Sequence, residues 1–170
     1  AVNHMDHIVK GLLDLIHAPT SSDEENEGAT ENAIFALGCL LRSSCPSVQF
    51  GAEVWSRLPA PLSRQVIGRE WLSALPLTAD EMEAKLAHHQ LCDSIEAMDI
   101  DIVGENMSYL PKILSALAGI CSKHSITVAT PATIQRVKNV VQSIKSMVPI
   151  DNFNTAISQL TPKLQNLLMA

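Results

Sequence analysis

The chain reads as all-α. Apolar residues recur at steps of three and four in one segment after another, and no segment alternates long enough to make a half-buried strand. Threonine, serine and proline also stand where the apolar runs would start and stop. The clearest joint is Trp71-Leu-Ser-Ala-Leu-Pro-Leu77 followed by Thr78, Asp80 and Glu81. Pro76 disfavours the helical conformation at Leu75, and Thr78 with Glu81 has the spacing of a capping box, so one helix stops here and a second begins, as in a helical hairpin.

In chain order, Ile8, Leu12, Leu15 and Ile16 predict a helix over about residues 4–17. Pro19 ends it, and residues 19–29 read as an acidic, mobile linker. Thr30 then precedes Ile34, Leu37, Leu40 and Leu41, the stripe of a second helix that Ser43, Ser44 and Pro46 close. Residues 48–69 are less regular. Val54, Trp55 and Leu58 are spaced as in a helix, but Pro59 and Pro61 interrupt the chain before a helical pattern resumes from Leu62 to Leu75. The helix expected from Thr78 carries Met82, Leu86, Leu91 and Ile95, and the next carries Leu110, Ile113, Leu114, Leu117, Ile120 and Cys121. Thr130-Pro131 supplies a cap with proline at the first helical position, and Ile134, Val137, Val140, Val141 and Ile144 follow as an apolar face. Two short helices, after Asp151 and after Thr161-Pro162, complete the chain.

Thr30, Thr78 and Thr130 mark helix starts roughly 50 residues apart, slightly above the spacing of about 40 to 47 in two-helix HEAT repeats. A single helix pair cannot cover its own apolar face, whereas stacked pairs form a continuous core. Residues 1–170 are therefore expected to form one α-solenoid fragment of about three to four HEAT-like antiparallel helix pairs, with a compact bundle as the competing architecture. The start at Ala-Val-Asn, directly in a helical pattern, suggests a piece of something longer.

Composition narrows the function. With 46% apolar and 18% charged residues the chain can bury a core. A net charge of −6 and an aromatic content of 4% argue against a nucleic-acid surface, which needs clustered cations and stacking platforms. No apolar stretch approaches the roughly 18 to 20 residues that span a bilayer. Cys39, Cys45, Cys92 and Cys121 are irregularly spaced and are read as free thiols of a reduced compartment.

Four segments occur in a telling order: Glu31-Asn-Ala-Ile-Phe-Ala-Leu-Gly38, Trp71-Leu-Ser-Ala-Leu-Pro-Leu77 with Asp80 and Glu81, Leu91-Cys-Asp-Ser-Ile-Glu96, and Leu110-Pro-Lys-Ile-Leu114. Together with the closing Leu-Thr-Pro-Lys-Leu-Gln-Asn-Leu-Leu they resemble the carboxy-terminal HEAT repeats of importin-beta-type (karyopherin-beta) nuclear transport receptors, in particular the importin beta-3 branch, over the chain from about residue 27 onward. Two departures stand out. Cys39 occupies the place where such receptors usually carry a basic residue, and residues 48–69 exceed the usual short connection, as a probable insertion would. The resemblance implies a receptor that binds basic protein cargo, touches Phe-Gly nucleoporins, releases cargo to the Ran GTPase in its GTP form and shuttles between cytoplasm and nucleus. It implies no cofactor and no catalysis, and it puts the main Ran-binding repeats outside this segment. A HEAT scaffold or regulatory subunit of another complex would share every periodicity above.

For basic cargo, Asp23, Glu24, Glu25 and Glu27 are the one concentrated acidic group, weighed against a plain solvated loop. Trp55 and Trp71 could stack on a bound signal but sit among apolar residues, which favours the core; Asn32, near the cap at Thr30, suits a structural bond. His88, His89 and Cys92 lie within a turn of each other, and Cys121 with His124 repeats the spacing. A zinc site can be drawn from them, but they lack the paired signatures of structural zinc, so buried thiols and exposed histidines are expected instead. No phosphate loop, nucleophile elbow or His-Glu-x-x-His motif is present, and Cys92 beside His88 or His89 has no orienting carboxylate nearby in sequence.

Overall fold

The computed structural model describes residues 2–42, 52–122 and 129–170. In order, the α-helices are α1 Val2–Ile16, α2 Glu27–Leu41, α3 Ala52–Ser56, α4 Arg64–Ala74, α5 Glu81–Glu96, α6 Ile100–Val103, α7 Leu110–Ile120, α8 Pro131–Met147, α9 Ile150–Ser158 and α10 Pro162–Met169. Tighter 3-10 turns occupy Ala60–Leu62 and Glu105–Met107, and no strand occurs among the described residues. The chain is all-α.

Helix starts follow local chemistry. Ser63, Thr130 and Thr161 accept from the backbone N–H three residues on, and proline stands in the first turn of α8 and α10, where a missing N–H costs nothing. Two expected starts are displaced. α2 begins at Glu27 rather than Thr30, whose hydroxyl instead donates to the Ser21 carbonyl at 2.8 Å. α5 begins at Glu81 with Asp80 as its cap, accepting from Glu83 N at 2.8 Å, because the Thr78 hydroxyl is drawn to Glu31.

The stretch expected as a mobile linker folds as a run of hydrogen-bonded turns. Asp23 N donates to Thr20 O, Asn26 N and Glu27 N donate to Asp23 O, and the Asn26 amide donates to Thr20 O. Within residues 48–69, α3 is followed by the 3-10 turn at the two prolines, and α4 starts at Arg64; residues 48–51, with Cys45 and His124, lie outside the described residues. Neither α6 nor the turn after it is among the elements expected from the caps and the apolar spacing.

Packing joins helices one to three places apart in the chain. α1 lies on α2, α2 on both α4 and α5, α4 on α6 and α7, α5 on α8, and α7 on α9 and α10. The joint at Pro76 therefore does not make a simple hairpin: the principal neighbour common to α4 and α5 is α2. One apolar cluster runs from Val9 in α1 to Leu168 in α10, through Trp71, Leu91, Leu117, Val141 and Phe153.

Three polar joints fix this arrangement. Glu31, only 7% exposed, reaches from α2 to the start of α5, accepting from Thr78 N at 2.6 Å, Ala79 N at 2.8 Å and the Thr78 hydroxyl at 3.2 Å. Arg64, at the start of α4, donates to both Asp99 oxygens at 2.8 and 2.7 Å, to Asp101 at 2.6 Å and to the Leu41 carbonyl at 2.9 Å. It thereby satisfies a terminal carbonyl of α2 and holds the acidic start of α6. At Gly38 the backbone of α2 lies so close to α4 that a Cβ would stand 2.6 Å from Trp71 Nε1, and Gln90 of α5 donates to the Gly38 carbonyl at 2.6 Å.

Candidate functional site

Asp23, Glu24 and Glu25 fall on the turn between α1 and α2, Glu27 is the first residue of α2, and all four are exposed. The backbone bonds around Asp23 set the turn's shape, leaving the carboxylates in water, and none forms an ion pair within the described residues. Such a group attracts a basic partner through summed Coulomb terms that salt screens over roughly 8 to 10 Å. It offers no apolar anchor, so it steers a partner more than it grips one.

Asp93, Glu96, Asp99 and Asp101 are committed internally. Arg136 of α8 donates to Asp93 at 2.6 Å, to Glu96 at 2.6 Å and to His89 Nδ1 at 3.2 Å, so that end of α5 is neutralised by its neighbour. With Nδ1 accepting, His89 Nε2 is the donor to the Thr133 hydroxyl at 3.3 Å. Burial would push the Asp99 carboxyl up, yet the hydrogen bond and charge of Arg64 hold it below its usual value. Glu83 is raised, by burial first and then by Asp80 and Glu31.

The tryptophans belong to the core, Trp71 at 1% and Trp55 at 7% exposure. Asn32 points to solvent. The residues drawn together as a zinc set separate by environment. His88 is fully buried, contrary to the expectation of an exposed histidine, while His89 on the next position is exposed and engaged with Arg136 and Thr133. Burial pushes the Cys92 thiol up to about 11 and raises Cys121 as well, which makes both weak nucleophiles and weak ligands near neutrality. No group of three or more ligating side chains fit to hold a metal occurs among the described residues.

Of four surface grooves among the described residues, two are the larger. One of about 270 Å³ lies where the turn after α6 meets α9, with Asn106, Asn152, Thr155 and Gln159 in its lining; Asn106 and Met107 there have φ of 52° and 58°. The other, of about 340 Å³, lies between α8 and α10. Sequence reasoning found neither, since each is assembled from segments far apart in the chain. It did place the carboxylates of Asp23, Glu24, Glu25 and Glu27 correctly in solvent. It missed Glu31, although a signal was available: a carboxylate three residues before Ile34 and seven before Gly38 falls on the apolar stripe of its helix. No helix is long and apolar enough to cross a membrane among the described residues. No protein-family model matches the chain.

Proposed function

We propose that this chain is a segment of a HEAT-type α-solenoid from a nuclear import receptor of the importin-beta kind, binding protein partners without catalysis. The observation that carries the reading is where the resembling residues fall. Gly38 of the first motif meets Trp71 of the second, Glu31 of the first binds Thr78, which lies between Leu77 and Asp80 of the second, and Gln90 beside the third motif binds the Gly38 carbonyl. The residues that carry the resemblance are thus those that join one helix to its successors, as repeat packing demands. The limited separation along the chain of packed helices, at most three places among the main contacts, supports the same architecture.

On this reading, basic cargo is drawn to Asp23, Glu24, Glu25 and Glu27, and Phe-Gly nucleoporins and Ran are partners of the receptor as a whole. The test is binding of chain 1–170 to a lysine-rich signal peptide and to a Phe-Gly-repeat peptide at two salt concentrations. Salt-sensitive binding of the signal, lost when the four carboxylates become amides, is the expected result. Binding of neither peptide, by this segment or by a longer chain containing it, overturns the transport reading and leaves a scaffold in another complex.

A further inference from the structure

We propose that the groove between α8 and α10 docks an acidic peptide segment carrying a large apolar side chain. The groove measures about 340 Å³, within the range of about 300 to 1,000 Å³ that suits ligand sites. Cys121, Ile134 and Leu167 line it with apolar surface, and each is half-buried, so this surface faces solvent and is not sealed in the core. Lys138 and Lys163 line the same groove.

Six other cations of the fold are engaged. Arg64 and Arg136 are bound to carboxylates, Lys85 to Glu81, and Lys112 to the Ser73 hydroxyl, while Arg69 lies over Tyr109 and Lys145 over Phe153. Lys138 and Lys163 have no ion pair or hydrogen bond within the described residues. Lys138 is half-buried and lines the groove together with Cys121. In a chain of net charge −6, two unneutralised cations beside exposed apolar surface are a local reversal of sign. Carboxylates flanking an apolar side chain complete both halves at once. A peptide fits better than a fatty acid, because an open groove covers one side chain well and leaves most of an acyl chain in water. The inference is independent of the transport reading, which invokes basic partners at the opposite pole of the charge pattern.

The test titrates chain 1–170 into a fluorescein-labelled Glu-Asp-Leu-Phe-Asp-Glu peptide, read by anisotropy at about 50 and about 300 mM salt, where screening differs severalfold. Binding is expected at low salt, weakened at high salt, and reduced about tenfold or more in K138E/K163E, a change of about 1.4 kcal/mol. K138M/K163M keeps the aliphatic stems and is expected to lose the salt-sensitive part alone, so the result does not hinge on how well the charge-reversed chain folds. Replacing Leu-Phe by Ser-Ser in the peptide is expected to abolish binding. Undiminished affinity in both lysine variants, no binding at low salt, equal binding of Lys-Lys-Leu-Phe-Lys-Lys, or capture by anionic lipid vesicles but not by the peptide would each overturn the proposal.

Discussion

Glu31 illustrates how one side chain can set the relation of two helices. Its carboxylate takes the N–H groups of Thr78 and Ala79, which precede α5 and have no helical partner. Gln at this position keeps the shape but turns an N–H₂ toward a donor, so E31Q is expected to lose about 1 to 3 kcal/mol of stability in urea unfolding. Arg64 makes a second, pH-dependent case. Its removal in R64M leaves Asp99 and Asp101 partly buried without their cation, at an expected cost of about 1 to 3 kcal/mol near neutrality. Because Asp99 sits below its usual value of 3.8 in the folded chain, the stabilisation it contributes is complete above that value and fades as the pH falls through the lowered one. In R64M only the Asp101 backbone N–H still opposes burial at Asp99. The gap between wild type and variant should therefore narrow on going from about pH 7 to about pH 3, and a constant gap would show that Arg64 stabilises through packing alone.

At the scale of the element, most helices were legible because caps and apolar spacing agree. Thr130-Pro131 and Thr161-Pro162 are unambiguous starts, and the faces of α7 and α8 are buried as the spacing predicts. α5 shows where spacing misleads. Leu91 and Ile95 are buried, but Met82 is 74% and Leu86 46% exposed, although all four were assigned to one stripe. Met82 stands nine positions from Leu91, about two and a half turns, which points it to the other side of the helix. The true face runs through Ala84, Ala87 and His88, a weak apolar signal that large residues outweighed. α1 errs likewise: Val9 is buried while Ile8 and Leu15, taken as core, are exposed. The double variant M82Q/L86Q should thus change the unfolding free energy by less than about 0.5 kcal/mol, where two core residues would cost several. Neither the grooves nor the Arg64 joint could be read from the sequence, because Leu41, Arg64 and Asp99 meet only once three helices are placed.

Across the whole molecule, order of packing matters more than any single contact. If neighbours in the chain are also neighbours in space, a local defect should stay local. G38A tests this, since its Cβ would stand 2.6 Å from Trp71 Nε1 and 3.3 Å from Gln90 Oε1, forcing α2 away from α4 and α5. Hydrogen exchange is expected to speed up in α2, α4 and α5 while α9 and α10 keep their protection. A uniform rise throughout would mean a single cooperative bundle and would count against the repeat architecture.

The same packing bears on how the chain is made. The main helix contacts join helices no more than three places apart in the chain, so little of the fold waits on distant segments. α1 and α2 can dock on each other, and then receive α4 and α5, while the residues of α8 to α10 are still being added at the ribosome. The nascent chain can thus acquire structure in the direction of synthesis, with α5 waiting on α8 and α7 on α9 and α10 for their remaining cover.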